Sequence, residues 1–273
     1  MKRTGSENPF AGTAFKGACA GALVLLVLFT IFNQSSLAGP LARHWWTDLG
    51  WTISSLAAGL LCLNVSRRTN PPYQKAWFWV ALGCLSWMAG MLVWDFYELV
   101  MGWITPFPSL ADAGYSAFNL FLLAGGLALN YHRSGRFERA KLFVDSLIMM
   151  NVLALALGVV FYDSLIQSGT SFTGKMTALF YPVTALSACF LLAIVRAEIP
   201  TGTERQAWTW VLAGAVLNAA ADTGYLIPII TGGYEVGSRL DPLWTGAFFC
   251  IGLGAIRILW SRSDSILEGA HGA

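Results

Sequence analysis

Apolar residues along the chain gather into blocks, and short polar stretches separate them. Each block holds about 20 residues, enough for a helix to cross a hydrocarbon core of roughly 30 Å. The pattern predicts eight spans: 15–33, 48–66, 76–102, 109–131, 142–162, 175–196, 207–229 and 242–261. The expected fold class is all-α, a polytopic membrane helical bundle of about eight transmembrane helices. Residues 1–14 are expected as a cytoplasmic N-terminal tail and residues 262–273 as a cytoplasmic C-terminal tail. Lys2 and Arg3 precede the first block, but Glu7, Pro9 and Lys16 intervene, so the start reads as a tail and a span rather than a cleaved signal peptide.

Composition narrows the class. Of the 273 residues 56% are hydrophobic and 12% charged, with a mean hydropathy of +0.58. Soluble domains carry roughly 25% charged residues, which excludes an ordinary soluble enzyme. The five cysteines, Cys19, Cys62, Cys84, Cys189 and Cys250, all fall inside blocks without a Cys-x-x-Cys pair and read as packing residues. A net charge of +2 without a basic patch gives no reason to expect nucleic acid.

The distribution of the basic residues is informative. With eight spans, only Arg43, Lys175 and Arg239 of the 17 lysines and arginines fall on the side opposite the termini. The positive-inside rule then puts both termini in the cytoplasm. Trp45, Trp46, Trp103 and Trp244 fall where an outer aromatic belt belongs, and Trp77, Trp79, Trp208, Trp210 and Trp260 where an inner one does.

Residues 74–83, QKAWFWVALG, resemble residues 205–214, RQAWTWVLAG, and each stretch opens a span. The spacing suggests two tandem four-helix halves, 15–131 and 142–261, in the same orientation, unlike the inverted repeats of many transporters. Repeated use of interfacial tryptophan pairs is the alternative explanation.

A carboxylate inside a span costs about 2.5 kcal/mol or more at the membrane centre. Three acids have simple structural roles: Asp112 in a Ser-x-x-Asp helix start, Asp241 as an N-cap before Pro242, and Asp145 as a partner for Lys141 one turn earlier. Asp95, Glu98 and Asp222 do not. Asp95 lies about 28 Å along its span from Ala76, and Asp222 about 22 Å along its span from Ala207. Asp95 and Glu98 share a helix face, as do Asn218, Asp222 and Tyr225, and as do Asp112, Tyr115 and Asn119. The economical arrangement is one inward-facing outer pocket built from these eight residues, which takes a small polar or cationic ligand or a proton. A packing network without a ligand is the alternative.

Other chemistry has no carriers. His44, His132 and His271 and all five lysines fall outside the span interiors, which argues against a buried haem or a retinal Schiff base. There is no zinc-protease helix, phosphate loop or nucleophile elbow. An aspartyl pair of Asp95 with Asp222 is the one enzymatic arrangement left open. The expectation is a protein that is not an enzyme, with no cofactor and no metal. Gly17 and Gly21 in the first span form a weak Gly-x-x-x-Gly helix-packing signal.

The stretch Trp94-Asp95-Phe96-Tyr97-Glu98, followed by Pro106-Phe107-Pro108-Ser109-Leu110-Ala111-Asp112-Ala113-Gly114-Tyr115-Ser116-Ala117-Phe118, resembles the multi-span N-terminal sensor modules of bacterial GGDEF/EAL (cyclic-di-GMP) signalling proteins. Ala221-Asp222-Thr223-Gly224-Tyr225 and Leu240-Asp241-Pro242-Leu243-Trp244 look like the second half of such modules, so the similarity covers roughly 50–260. The resemblance implies a module in the bacterial inner (cytoplasmic) membrane that perceives something in the membrane or periplasm. The residues after Trp260 are too few for an output domain, so the expectation is either a module that signals through a partner or a truncated product. The expected partners are membrane lipids, an unidentified cytoplasmic or membrane protein, and a second copy of the chain. The 133–141 loop and the 262–273 tail are the expected contact surfaces. A structural subunit of a larger membrane complex and a small-solute or cation transporter are the competing readings.

Overall fold

A computed structural model describes residues 9–35, 39–103, 107–130 and 136–271, and those residues form an all-helical bundle with no strand among them. Helix α1 spans Pro9–Gln34 and α2 Pro40–Arg68, with a proline in the first turn of α2, where no N–H is missed. Helix α3 spans Tyr73–Asp95 and runs on into one π-helical turn, Phe96–Val100. Then follow α4 (Ala111–Asn130), α5 (Arg136–Val160), the short α6 (Tyr162–Gln167), α7 (Phe172–Glu198), α8 (Thr203–Thr231) and α9 (Asp241–His271). Gly232 ends α8 in the left-handed conformation, φ 71°, which a residue without Cβ adopts freely.

Seven of these helices are long and apolar enough to cross a membrane, so the chain is a multi-pass membrane protein. The eighth expected span, α4, is 20 residues long and carries the buried polar groups Asp112 and Asn119. It runs antiparallel along α3. A Cβ on Gly114 would meet Gly90 Cα at 2.7 Å, and one on Gly125 would meet Ala76 O at 3.3 Å.

Six helices close a ring in the order α2, α3, α4, α7, α8, α9 and back to α2. Helix α1 lies outside it against α9 and α2, and α5 lies outside it against α7 and α4. Both outer helices leave long apolar faces open, among them Ile31, Leu155 and Val159. Such faces suit lipid.

Equivalent contacts recur on the two sides of the ring. A Cβ on Gly125 would touch Ala76 O, Val80 and Trp79, and one on Gly254 would touch Ala207 O, Val211 and Trp210. Gly83 meets Phe118 and Phe121 of α4, and Gly214 meets Ala247, Cys250 and Ile251 of α9. These glycines let the paired backbones approach as small residues do in membrane bundles.

The tryptophans divide differently from the expected belts. Trp45, Trp46 and Trp103 are exposed, as a belt requires. Trp77 and Trp208 are fully buried and pack on each other with centroids 5.0 Å apart, and Trp244 is buried too. Their ring volume fills the centre of the helix ring, which a window on hydropathy alone does not distinguish from an interface. Lys141 and Asp145 form no salt bridge among the described residues.

Candidate functional site: an aromatic cavity with two carboxylates

At the end of the ring where α3 and α8 finish and α4 and α9 begin, the helices surround a cavity of about 50 Å³. A single buried water needs about 10–15 Å³, so the space is larger than a one-water void. Four tryptophans line it, Trp51, Trp87, Trp94 and Trp244, and four tyrosines, Tyr115, Tyr181, Tyr225 and Tyr234. Met91, Asp112 and Asp222 complete the wall, which contains no Lys, Arg or His. All of these side chains except Tyr115 are buried.

Successive rings stand nearly perpendicular. Trp51 meets Trp244 at 89° and 5.5 Å, Trp244 meets Tyr225 at 80° and 5.5 Å, and Tyr225 meets Tyr234 at 82° and 4.8 Å. Edge-to-face contact is the favoured aromatic geometry, so each ring holds the next in place.

The two acids are built in differently. Asp222, on α8, accepts from Trp244 Nε1 at 3.0 Å, Asn218 Nδ2 at 2.9 Å and Asn119 Nδ2 at 3.3 Å. Asn218 also donates to Asn119 Oδ1 at 3.2 Å, which locks both amides behind the carboxylate. Asp112 lies in the first turn of α4. Its Oδ2 accepts the Ser109 N–H, and Ser109 Oγ accepts the Ala111 N–H at 3.3 Å, a reciprocal helix start of the kind the Ser-x-x-Asp spacing predicts. The Tyr181 hydroxyl, from α7, donates to Asp112 Oδ1.

Asp112 also borders a second space. Pro108, Ser109, Ser116, Thr173 and Thr177 form a hydroxyl-rich groove of about 390 Å³ between α4 and the start of α7, with Asp112 at its inner wall. The carboxylate, with the Tyr181 hydroxyl on it, therefore stands between groove and cavity.

Of the eight residues expected to share a pocket, Asp112, Tyr115, Asp222 and Tyr225 line the cavity. Asn119 and Asn218 support Asp222 from behind. Asp95 and Glu98 lie apart, turned toward α2, and are not in the lining: Thr52 Oγ1 donates to Asp95 Oδ2 at 2.9 Å, and Glu98 is bonded to His44 and to Trp94 Nε1. Trp94 connects the two groups, because its ring lines the cavity while its N–H holds Glu98.

Asp241 differs from the simple N-cap expected of it. It reaches back to the loop before α9 and accepts from Gly237 N at 2.7 Å, Ser238 Oγ at 2.7 Å and the Tyr234 hydroxyl at 3.0 Å. Asn33 of α1 adds a fourth bond at 3.0 Å. Tyr234 lies in that loop, outside the spans, and burial beside Asp241 pushes its phenol well above the usual tyrosine range.

The sequence pattern assigns Trp244 to an outer belt and gives no pocket role to the other tryptophans of the wall, to Tyr181, Tyr234 or Asp48. Asp48 is fully buried on α2, and neither of its carboxyl oxygens has a hydrogen-bond partner. Its position within an apolar block was the available signal. Tyr181 and Trp51 gave none, because an aromatic residue in a span reads as lipid-facing or core alike.

No family model, curated protein or solved structure matches the chain.

Proposed function

We propose that the chain is a ligand-responsive membrane module: a small polar or cationic solute occupies the cavity, and a protein partner reads the resulting shift of the helix ring. The observation that carries this reading is the pair of buried carboxylates, Asp112 and Asp222, in a cavity wall without a basic residue. Buried acids without a counter-charge are costly to retain, and a cationic occupant offsets that cost. The resemblance to GGDEF/EAL sensor modules supports the same reading, as does the ring arrangement, in which one occupant touches most of the helices that would have to move.

In this proposal the membrane is a bacterial inner membrane, and the excess of Lys and Arg on one side puts the termini in the cytoplasm and the cavity on the periplasmic side. The partner surface is the 133–141 loop with the 262–273 tail, segments whose side chains lie largely outside the described residues. The bundle is read as two tandem halves, 15–131 and 142–261, on the strength of the matching glycine contacts of α3 with α4 and of α8 with α9.

A ligand moves the ring only if it binds one packing better than another. The test is paired: equilibrium binding to the purified chain, and uptake into liposomes that contain it. Saturable binding without uptake, lost in Asp222→Asn, is the result expected of a receptor. Uptake that depends on Asp222 would replace the reading with a transporter, and unaltered behaviour of Asp222→Asn in both assays would remove the cavity from the function.

A further inference from the structure

Resting on the reading of the cavity as a ligand site, we propose that its occupant is an alkylated ammonium group, a cation of the tetramethylammonium type, held by aromatic faces and the Asp222 carboxylate. The wall chemistry separates this class from its competitors. A small hydrated ion such as sodium exchanges its water for several oxygen ligands. Side-chain oxygens in this wall come only from Asp112, Asp222 and the four tyrosine hydroxyls, and the rest of the lining is tryptophan and Met91. Among the described residues no group of three or more His, Cys, Asp or Glu side chains is placed to hold a metal ion.

What the wall offers is ring surface. A cation that carries methyl groups sheds its weak hydration easily, and the negative faces of tryptophan and tyrosine attract it most strongly where water is excluded. The near-perpendicular run from Trp51 through Trp244 and Tyr225 to Tyr234 arranges such surfaces as adjoining walls. Asp222 supplies the opposite charge, fixed by three donors that leave it little freedom to turn away. The hydroxyl-rich groove beside Asp112 is the way in, with the bond from Tyr181 to Asp112 across its inner end.

The experiment uses the full chain in lipid nanodiscs and four probes: tetramethylammonium chloride, sodium chloride, ammonium chloride, and tert-butanol as an uncharged molecule of similar size. Thermal stability and titration calorimetry are read for wild type, Asp222→Asn, Tyr225→Phe and Tyr225→Leu. The expected result is saturable binding of tetramethylammonium alone, at least tenfold weaker in Asp222→Asn and Tyr225→Leu and retained in Tyr225→Phe, which keeps the ring face. If Asp222→Asn does not fold, the two Tyr225 variants carry the comparison. Equal binding of tert-butanol would overturn the cation and leave a ligand cavity standing. Equal or tighter binding of sodium or ammonium would overturn the alkylated class and leave a cation site. Absence of binding by all four would overturn this inference, and the ligand-cavity reading is decided separately by the binding and uptake comparison of wild type with Asp222→Asn.

Discussion

Asp222 occupies in α8 the place that Met91 occupies in α3. Each accepts a hydrogen bond from an aromatic side chain of the helix that follows, Asp222 from Trp244 at 3.0 Å and Met91 from Tyr115 at 3.1 Å. The same scaffold thus presents a carboxylate from one side of the ring and a thioether from the other. At this pair of equivalent positions α8 contributes charge and α3 a polarisable apolar surface.

That asymmetry predicts unequal substitutions. Asp222→Leu leaves the N–H groups of Trp244, Asn119 and Asn218 without their acceptor, at about 1–3 kcal/mol for each buried group that finds no other. Met91→Leu nearly conserves volume and should cost less than about 1.5 kcal/mol. Denaturant titration in mild detergent checks both, and similar losses would show that Asp222 is not the organising acceptor.

The glycine contacts predict a graded series. Gly254→Ala puts a methyl 2.7 Å from Ala207 O, and Gly114→Ala puts one 2.5 Å from Ser86 O, both backbone atoms that cannot swing aside. Each should destabilise by about 1–3 kcal/mol through overpacking. Gly125→Ala, at 3.3 Å, should cost less, and Gly158→Ala, with nothing within 4 Å, should be neutral or slightly stabilising. Melting temperatures of the four variants give the order directly.

This series also shows what was legible in sequence. The match between 74–83 and 205–214 was visible because Trp, Ala and Gly recur at fixed spacing, and α3 and α8 do begin there. Helix positions followed from blocks long enough for one span. The Ser109 to Asp112 helix start followed from local spacing alone. Partition of the acids did not: Asp95 and Glu98 face α2 rather than the cavity, and which helix neighbours α3 on that side depends on ring closure between α2 and α9, a long-range contact without a local signal. The aromatic wall was hidden for the same reason, since Trp244 at a span start satisfies both an interface and a core.

Asp48 offers a test of a different kind. Its carboxyl group is fully buried and neither oxygen is hydrogen-bonded. Replacing such a group with a similarly sized apolar one removes a desolvation cost without breaking a bond. Asp48→Leu should therefore raise stability, by about 1–3 kcal/mol, while tetramethylammonium binding is kept. A marked loss of stability would assign Asp48 a supporting contact that the hydrogen-bond geometry lacks.

Tyr234 sets an alkaline limit. Its phenol titrates higher in the folded chain than the usual value of about 10, because burial beside Asp241 disfavours the phenolate. The folded state therefore holds this proton more tightly than the unfolded state, so the contribution is complete below pH about 10 and is lost as pH rises above it. Tyr234→Phe should lower stability at neutral pH through the lost bond to Asp241 and flatten the decline above pH about 10. Melting temperatures measured from pH 7 upward check both parts, and an unchanged alkaline slope would contradict the assignment.

Native mass spectrometry of the chain released from nanodiscs in tetramethylammonium buffer counts the cation on each molecule. One bound cation per chain is expected in wild type and none in Asp222→Asn. No adduct on the wild type, or the same adduct on both proteins, would contradict that expectation.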